Sequence, residues 1–257
     1  GDEYRDNEKN PLGHNYSVEF TVDKKATCKE TGIESRHCTR CGAKTDETEI
    51  PFSEHNYVDG VCTVCGDEIL EEATRLEYKL SGDGTYYIVK SLGEETRVRF
   101  IIPSLYKEKP VKEIGYGAFR DRYGLKSITI PDGVTSIGDW AFYGCHSLTS
   151  INIPDSVTSM GDSAFNNCGG LTSVVIGNGV ESIGSDAFNS CTSLTSITIP
   201  GSVTSIDNYA FCVCSKLTDI NYNGSMEEWN NIVKAESWDH QTGKYVVHCT
   251  DGDIKKS

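Results

Sequence analysis

The sequence predicts an α/β repeat solenoid, in which right-handed coils each contribute one parallel strand, and a small cysteine-rich N-terminal module. The first observation is a 23-residue unit that repeats four times without insertion between Leu125 and Lys216. The second is that leucine and phenylalanine recur at fixed places, as Leu125, Leu148, Leu171, Leu194 and Leu217 and as Phe119, Phe142, Phe165, Phe188 and Phe211. A single 23-residue coil has no interior, so these columns indicate that each coil packs on the next.

Each unit predicts its own local structure. Ile128 and Ile130 alternate with polar residues, which is the period of two expected of a strand with one buried face. A second extended piece follows around Ile137. Segment 139–145 (DWAFYGC) then indicates a short helical turn that carries Phe142 inward.

The solenoid needs caps, because its first and last coils would otherwise expose apolar faces. We therefore assign residues 73–222 to the solenoid with an N-terminal hairpin cap, built on two predicted strands around an SGDG turn. Residues 223–257 form a C-terminal cap, where Ser225 and Glu228 have the spacing of a capping box. Residues 1–72 form the cysteine-rich module.

The repeat itself indicates a family. The pattern L-x-x-I-x-I-P-x-x-V-T-S-I-G-x-x-A-F-x-x-C resembles the BspA-like leucine-rich repeats of bacterial surface proteins over about residues 74–222. The resemblance implies a curved leucine-rich-repeat solenoid, an extracellular or cell-surface location, and adhesion to a protein or glycan of a host or neighbouring cell. It implies no active site. Because the chain starts at Gly1, we expect a trimmed or mature form whose targeting and anchoring segments lie outside it.

Charge and hydropathy exclude several classes of partner. The formal net charge of −14 opposes attraction to nucleic acid or to anionic membranes. No stretch has the 18 or more apolar residues of a membrane span. We expect an extracellular protein or glycan partner, no nucleic acid and no membrane insertion, and the sequence does not predict an oligomeric state.

Two C-x-x-C-G knuckles in the first module predict a structural zinc site. The simplest ligand set is Cys38, Cys41, Cys62 and Cys65, in a C-x2-C-x20-C-x2-C arrangement. A second set stays open, in which Cys28 and either His14 or His55 join the first knuckle. In the alternative without metal, an exported protein oxidises each C-x-x-C pair to a disulfide.

A second group of cysteines recurs every 23 residues, as Cys145, Cys168, Cys191 and Cys214. Each follows the buried phenylalanine by three residues, where a thiol behaves as a small hydrophobe, so we expect buried free thiols. Cys212 and Cys214, two residues apart, are the expected exception.

The candidate binding residues are the outward positions of the predicted concave sheet. They are small and nearly uncharged: Ser127, Thr129, Ser150, Asn152, Ser173, Val175, Ser196, Thr198, Asp219 and Asn221. Aromatic residues near the Ala-Phe turns offer a rival surface, namely Tyr116, Tyr123, Trp140, Tyr143 and Tyr209.

The sequence favours a non-catalytic binding module over two alternatives. One is a spacer or stalk that displays another domain. The other is an enzyme that uses some of the six histidines, but the sequence contains no nucleophile elbow, phosphate loop or metalloprotease motif.

Overall fold

The structure, a computed structural model, describes residues 21–24, 32–37, 44–50, 57–58, 61–62, 73, 75–95 and 98–256. The chain divides into two compact units, Gly1–Ile69 and Leu70–Ser257. Each unit is considered by itself.

The described residues of the first unit form two small antiparallel arrangements. Strands β1 (Thr21–Lys24), β2 (Gly32–His37) and β3 (Lys44–Ile50) make a sheet in the order β1-β2-β3. Strands β4 (Tyr57–Val58) and β5 (Val61–Cys62) pair as a hairpin.

The second unit is built from short strands with one short helix among its described residues. Its N-terminal part contains β6 (Glu77–Leu80), β7 (Tyr87–Ser91), β8 (Arg99–Ile101), β9 (Leu105–Tyr106) and β10 (Lys109–Ile114). The repeats supply β11 (Ser127–Thr129), β12 (Ser136–Ile137), β13 (Ser150–Ile153), β14 (Ser159–Met160), β15 (Ser173–Ile176), β16 (Ser182–Ile183), β17 (Ser196–Pro200), β18 (Ser205–Ile206) and β19 (Asp219–Asn223). The C-terminal part contains α1 (Met226–Asn231), β20 (Val233–Lys234), β21 (Val246–Cys249) and β22 (Gly252–Lys255).

Parallel pairing between coils confirms the solenoid. From the second unit onward the longer strands form the ladder β13-β15-β17-β19, which β21 of the C-terminal part continues. The register places Ile151, Val174, Ile197 and Ile220 side by side, as predicted. Ile128 pairs with Phe100 of β8, and the first coil is joined to the second by a bond from Thr149 N to Lys126 O at 3.5 Å. The two-residue strands form a second set of parallel ladders, so each repeat contributes two strands and the fold has very little helix.

A column of phenylalanine rings fills the core. Phe142, Phe165 and Phe188 are fully buried, and successive ring centroids lie 5.0 and 5.4 Å apart with planes 4° from parallel. Phe119 and Phe211 extend the column at either end, at 5.1 and 5.5 Å. The predicted stacking of aromatic residues between coils is therefore confirmed.

The expected helical turn at segment 139–145 is wrong. Backbone N–H groups in this segment alternate between two kinds of acceptor: Tyr143 N bonds Trp140 O three residues back at 3.0 Å, whereas Phe142 N bonds Ala164 O of the next coil at 2.8 Å. A helix would direct every N–H to a carbonyl four residues back. Trp140 and Gly144 have φ of 59° and 71°, which also breaks a helix. We call this third side of the solenoid, formed by segments 116–124, 139–147, 162–170, 185–193 and 208–216, the turn face.

The repeating cysteines are buried free thiols, as predicted, and the exception expected for Cys212 and Cys214 is wrong because both are also free. Each repeating thiol donates to a backbone carbonyl of the preceding coil, with Cys168 Sγ 3.1 Å from Phe142 O. Burial raises the pKa of the Cys214 thiol to about 12, so it keeps the proton that it donates.

Polar side chains and glycines complete the stacking. Thr172 Oγ1 donates to Thr149 O at 2.9 Å, and Thr195 Oγ1 to Thr172 O at 3.0 Å. A Cβ at Gly161 would overlap Asp139 of the previous coil, so glycine is required there. The Asp139 side chain then accepts a bond from Asp162 N at 2.9 Å.

Both ends of the solenoid are capped. The predicted capping box begins α1: the Ser225 hydroxyl accepts from Glu228 N at 3.2 Å, and the Glu228 carboxylate accepts from Ser225 N at 2.7 Å. Trp238 meets the Phe211 ring edge-on at 5.9 Å and ends the phenylalanine column. At the other end, β6 and β7 form the predicted hairpin, where Tyr78 stacks on Tyr106 at 4.0 Å. Among the described residues no helix is long and apolar enough to cross a bilayer.

Candidate binding surface

The outward side chains of the longer strands form the surface that we call the strand face. Its first column is Ser127, Ser150, Ser173, Ser196 and Asp219, and its second column is Thr129, Asn152, Val175, Thr198 and Asn221. All ten residues are exposed or half-buried. In each column the last four residues lie on neighbouring strands, directly opposite one another. Ser127 and Thr129, the first members, pair with β8. The structure thus assembles the predicted residues on one side of the sheet.

The chemistry of the strand face is neutral and hydrogen-bonding. Serine, threonine and asparagine side chains both donate and accept, so the face can bond peptide groups or sugar hydroxyls. Val175 is the apolar member of the two columns and is 45% exposed. An apolar side chain left exposed among polar neighbours can pack against a ligand.

A cleft of about 500 Å³ adjoins the strand face where β13 and β15 end. Asn152 and Val175 of the strand face line it, together with the amides of Asn178 and Asn223 and the carboxylates of Asp132 and Asp155. The predicted columns therefore continue into an open depression of the surface beside β13 and β15.

The cleft depends on a local departure from the repeat. Where other units have proline followed by aspartate or glycine, this unit has Gly177 and Asn178. A Cβ at Gly177 would lie 2.5 Å from Pro154 C, so the backbone of one coil rests directly on the next. Asp155 Oδ1 holds this turn by accepting from Asn178 N at 2.7 Å and from its side-chain amide at 3.2 Å. The close packing fixes the position of the Asn178 side chain at the edge of the cleft.

A histidine between two aspartates closes the far end of the strand face. His248 Nε2 lies 2.9 Å from Asp219 Oδ1, and Nδ1 lies 2.9 Å from Asp253 Oδ1. Hydrogen bonds to both carboxylates raise the pKa of His248. Bonds from Thr218 and then from His248 lower the pKa of Asp219. The arrangement ties β22 to β19 through β21.

The rival aromatic surface lies on the turn face. Tyr116 and Tyr123 are 67% and 57% exposed, and Tyr209 is 44% exposed, whereas Trp140 and Tyr143 are half-buried. Trp140 and Tyr143 form a ring pair 4.8 Å apart. Two separate surfaces of the solenoid therefore carry side chains suited to binding.

The predicted zinc ligands lie outside the described residues, namely His14, Cys28, Cys38, Cys41, His55 and Cys65, and only the backbone of Cys62 is described. In the part of the chain that is described, no three metal-binding side chains cluster. His37 pairs with Lys44, so the six residues that contain Cys38 and Cys41 connect two paired strand ends. Zinc binding stays a prediction.

Sequence reasoning did not identify Asn178, Asn223 or the His248 pair of contacts. The first has a signal, because Gly177-Asn178 interrupts the proline column of the repeat. Asn223 has the same signal, because it lies opposite Pro200 in the proline column, one period after the last complete unit. His248 had none, since it pairs with Asn221 outside the 23-residue period.

Residues 112–235 match, in six copies, the family described as the BspA type leucine rich repeat region. A comparison with the curated proteins gave no match. Among solved structures, the chain is similar to the T. pallidum leucine rich repeat protein TpLRR, with 28% identity, a TM-score of 0.56, and coverage of 68% of this chain and 82% of that one.

Two further solved structures are similar to the chain. A leucine rich cell surface protein from Faecalibacterium prausnitzii has 29% identity and a TM-score of 0.40, with coverage of 62% of this chain and 40% of that one. A leucine-rich repeat protein from Eubacterium ventriosum has 25% identity and a TM-score of 0.48, with coverage of 64% and 50%. The chain spans half or less of the length of these two proteins. The repeated columns, the parallel ladders and the match together establish that residues 112–235 are a BspA-type leucine-rich repeat region.

Proposed function

We propose that this solenoid is a non-catalytic binding module of a bacterial cell-surface or secreted protein, and that it recognises an extracellular protein or glycan through the strand face. The observation that carries the proposal is the cleft of about 500 Å³ that continues the strand face beside β13 and β15. Structural relatives that include a leucine rich cell surface protein agree with this location.

The side chains around the cleft support recognition by hydrogen bonds. Asn152, Asn178 and Asn223 each supply an amide with donors and an acceptor. Val175 adds an exposed apolar contact beside them. Because the asparagines come from three different coils, a ligand would contact several repeats at once, and its affinity would be the sum of modest contributions.

The family and the contacts of His248 favour binding over catalysis. Leucine-rich repeats of this family are typically non-catalytic. Both ring nitrogens of His248 are bonded to carboxylates, so neither is available to take a proton from a substrate. His146 Nδ1 is bonded to Asn167 O at 2.9 Å on the turn face, away from the cleft.

The first test is a screen of the full chain against extracellular-matrix proteins and glycans. For a confirmed ligand, Ser173→Arg should weaken binding, because a long side chain in the centre of the strand face blocks contacts on both sides. Tyr209→Ala, which removes an exposed ring from the turn face, should leave the affinity unchanged. A ligand that is lost in Tyr143→Ala but kept in Ser173→Arg would refute the strand face as its site. Absence of any ligand would favour the spacer or stalk instead.

A further inference from the structure

The turn face of the first two coils carries a compact cluster of rings and cations. The Arg120 guanidinium carbon lies 4.8 Å from the ring centroid of Trp140 and 5.2 Å from that of Tyr143. These distances are within the range of cation–π attraction. Asp121 approaches from one side, with Oδ2 3.5 Å from Arg120 Nε. The rings hold the guanidinium in place, and among the described residues its terminal N–H groups have no hydrogen-bond acceptor, so they can bond a ligand.

A second ring pair lies three residues further along both coils. Tyr123 stacks on His146 with ring centroids 5.1 Å apart and planes 20° from parallel. Because His146 Nδ1 bonds to the Asn167 carbonyl, which can only accept, Nδ1 carries the proton and Nε2 is left for a partner. Tyr123 presents a ring that is 57% exposed.

The fold does not require these residues. The backbone conformation repeats in later coils, but these side chains do not. Ser163 stands where the first full repeat has Trp140, and Gly169 and Thr192 stand at the position of Tyr123 and His146. Trp140 has a φ of 59°, and the same left-handed conformation recurs at Ser163, Asp186 and Tyr209, so the backbone accepts several residue types there. A large, half-buried ring that the fold does not require is available to contact a ligand.

Charge distinguishes this surface from the rest of the chain. The formal net charge of the protein is −14, and no lysine or arginine occurs between Lys126 and Lys216. Segment 116–126 nevertheless contains Arg120, Arg122 and Lys126 against a single acid, and all three cations are exposed. The cations of the repeat region are therefore concentrated beside the exposed rings.

We propose that this surface is a second binding site, separate from the strand face, and that its ligand is an anionic glycan, a sugar chain that carries carboxylate or sulfate groups. The exposed tyrosine rings offer flat, electron-rich faces on which the C–H groups of a sugar can pack. The guanidinium can bond a carboxylate or sulfate with two parallel N–H donors. Trp, Tyr and Arg also dominate protein interfaces, so an acidic peptide is the ligand that the test must exclude.

The test uses the full chain and immobilised heparin as a sulfated probe, polygalacturonate as a carboxylated probe, dextran as a neutral probe and polyglutamate as an acidic peptide. We expect binding to at least one anionic polysaccharide and none to dextran. Arg120→Ala and Tyr123→Ala should each reduce the affinity at least about tenfold. Arg120→Lys should give an intermediate loss, because lysine keeps the charge without the planar donors.

Two control variants show whether binding depends on this surface alone. Tyr209→Ala removes an exposed ring from the column of Trp140 in a later coil, and Ser173→Arg alters the strand face; both should keep the full affinity for the anionic polysaccharide. Circular dichroism and melting temperature confirm that each variant is folded. Undiminished binding by folded Arg120→Ala, or no binding of either polysaccharide at about 1 mM, overturns the proposal. Equal or tighter binding of polyglutamate also overturns it, in favour of an acidic protein partner.

Discussion

Truncation of Phe165 measures how strongly the coils are held together. Its ring is fully buried, with neighbours at 5.0 and 5.4 Å in the coils on either side. Phe165→Ala removes the ring from both contacts and leaves a cavity, which costs about 3–5 kcal/mol in proteins generally. The backbone resists collapse into that cavity, because Phe165 N bonds Ala187 O at 2.8 Å. We therefore expect a cost in the upper half of that range.

Urea denaturation provides the assay, followed by far-ultraviolet circular dichroism and by tryptophan fluorescence. Trp140 lies in an early coil and Trp229 in the C-terminal cap, so fluorescence reports on both ends of the solenoid. Because the stability of a solenoid is shared through interfaces between neighbouring coils, the loss at one interface should affect the signal from both ends. In thermal denaturation, the expected fall in melting temperature is about 8–20 °C.

Tyr209→Ala is the matched control, since it also removes an aromatic ring, but one that is 44% exposed on the turn face. Its cost should stay within about 0.5 kcal/mol. If Phe165→Ala and Tyr209→Ala unfold at the same urea concentration as the unaltered protein, the phenylalanine column does not stabilise the solenoid. The reasoning from burial would then be refuted.

The remaining predictions concern backbone packing, pH and metal. Gly161→Ala forces a Cβ into Asp139 and should cost about 1–3 kcal/mol in denaturation, whereas Gly82→Ala, with no atom within 4 Å, should be neutral. The raised pKa of His248 means that its protonated ring stabilises the folded state below the ordinary pKa of 6.5, and this stabilisation is lost as the pH rises through the folded-state pKa. His248→Gln should therefore destabilise the protein at about pH 6 but little at about pH 9. Equal losses of stability at the two pH values would refute this contribution of His248. Elemental analysis of protein prepared without chelator should detect zinc. Cys62→Ala should abolish zinc binding if the four cysteines are the ligands, but not if Cys28 and a histidine complete the site in place of the second knuckle. Disulfides in these pairs with no metal would exclude the zinc site.

The regular part of the fold could be predicted because identical residues return to identical surroundings. Leu and Phe columns at a 23-residue period fix the stacking before any local structure is known. The strand alternation then sets the register, and Ile151, Val174 and Ile197 lie where it places them. The capping box was readable because its two partners are three residues apart.

The turn face could not be predicted from local pattern. Ala and Phe before a glycine are compatible with a helical turn, and the interaction that prevents it joins Phe142 N to Ala164 O, 22 residues away in the sequence. Hydrogen bonds between the backbones of neighbouring coils do not restrict which side chains occur there, so the sequence does not reveal them. The Trp140 position is occupied by four different residue types in successive repeats, so the left-handed conformation that recurs there had no signal either.

Part of the candidate site could likewise be predicted from the sequence, and part could not. The two strand columns follow from the period of two, and the structure brings eight of their ten residues together. The cleft was missed because it arises from close approach at Gly177, which depends on how Pro154 of the previous coil is positioned. In the cysteine-rich module the sequence alone leaves zinc and disulfides open, because C-x-x-C in a tight turn suits both.

The two faces of the solenoid differ in electrostatics, and this difference decides between them. The strand face has few charges apart from Asp219, whose charge is shared with His248. The turn face has Arg120 and Arg122 exposed. Between about 0.01 M and about 1 M salt the Debye length falls from about 30 Å to about 3 Å, which screens exposed charges. A ligand held by hydrogen bonds on the strand face should keep its affinity over this range, whereas an anionic ligand on the turn face should lose it steeply. A ligand that is displaced by Ser173→Arg and yet released by salt would contradict recognition by neutral hydrogen bonds, because it would have to be a cation held by the cleft carboxylates of Asp132 and Asp155.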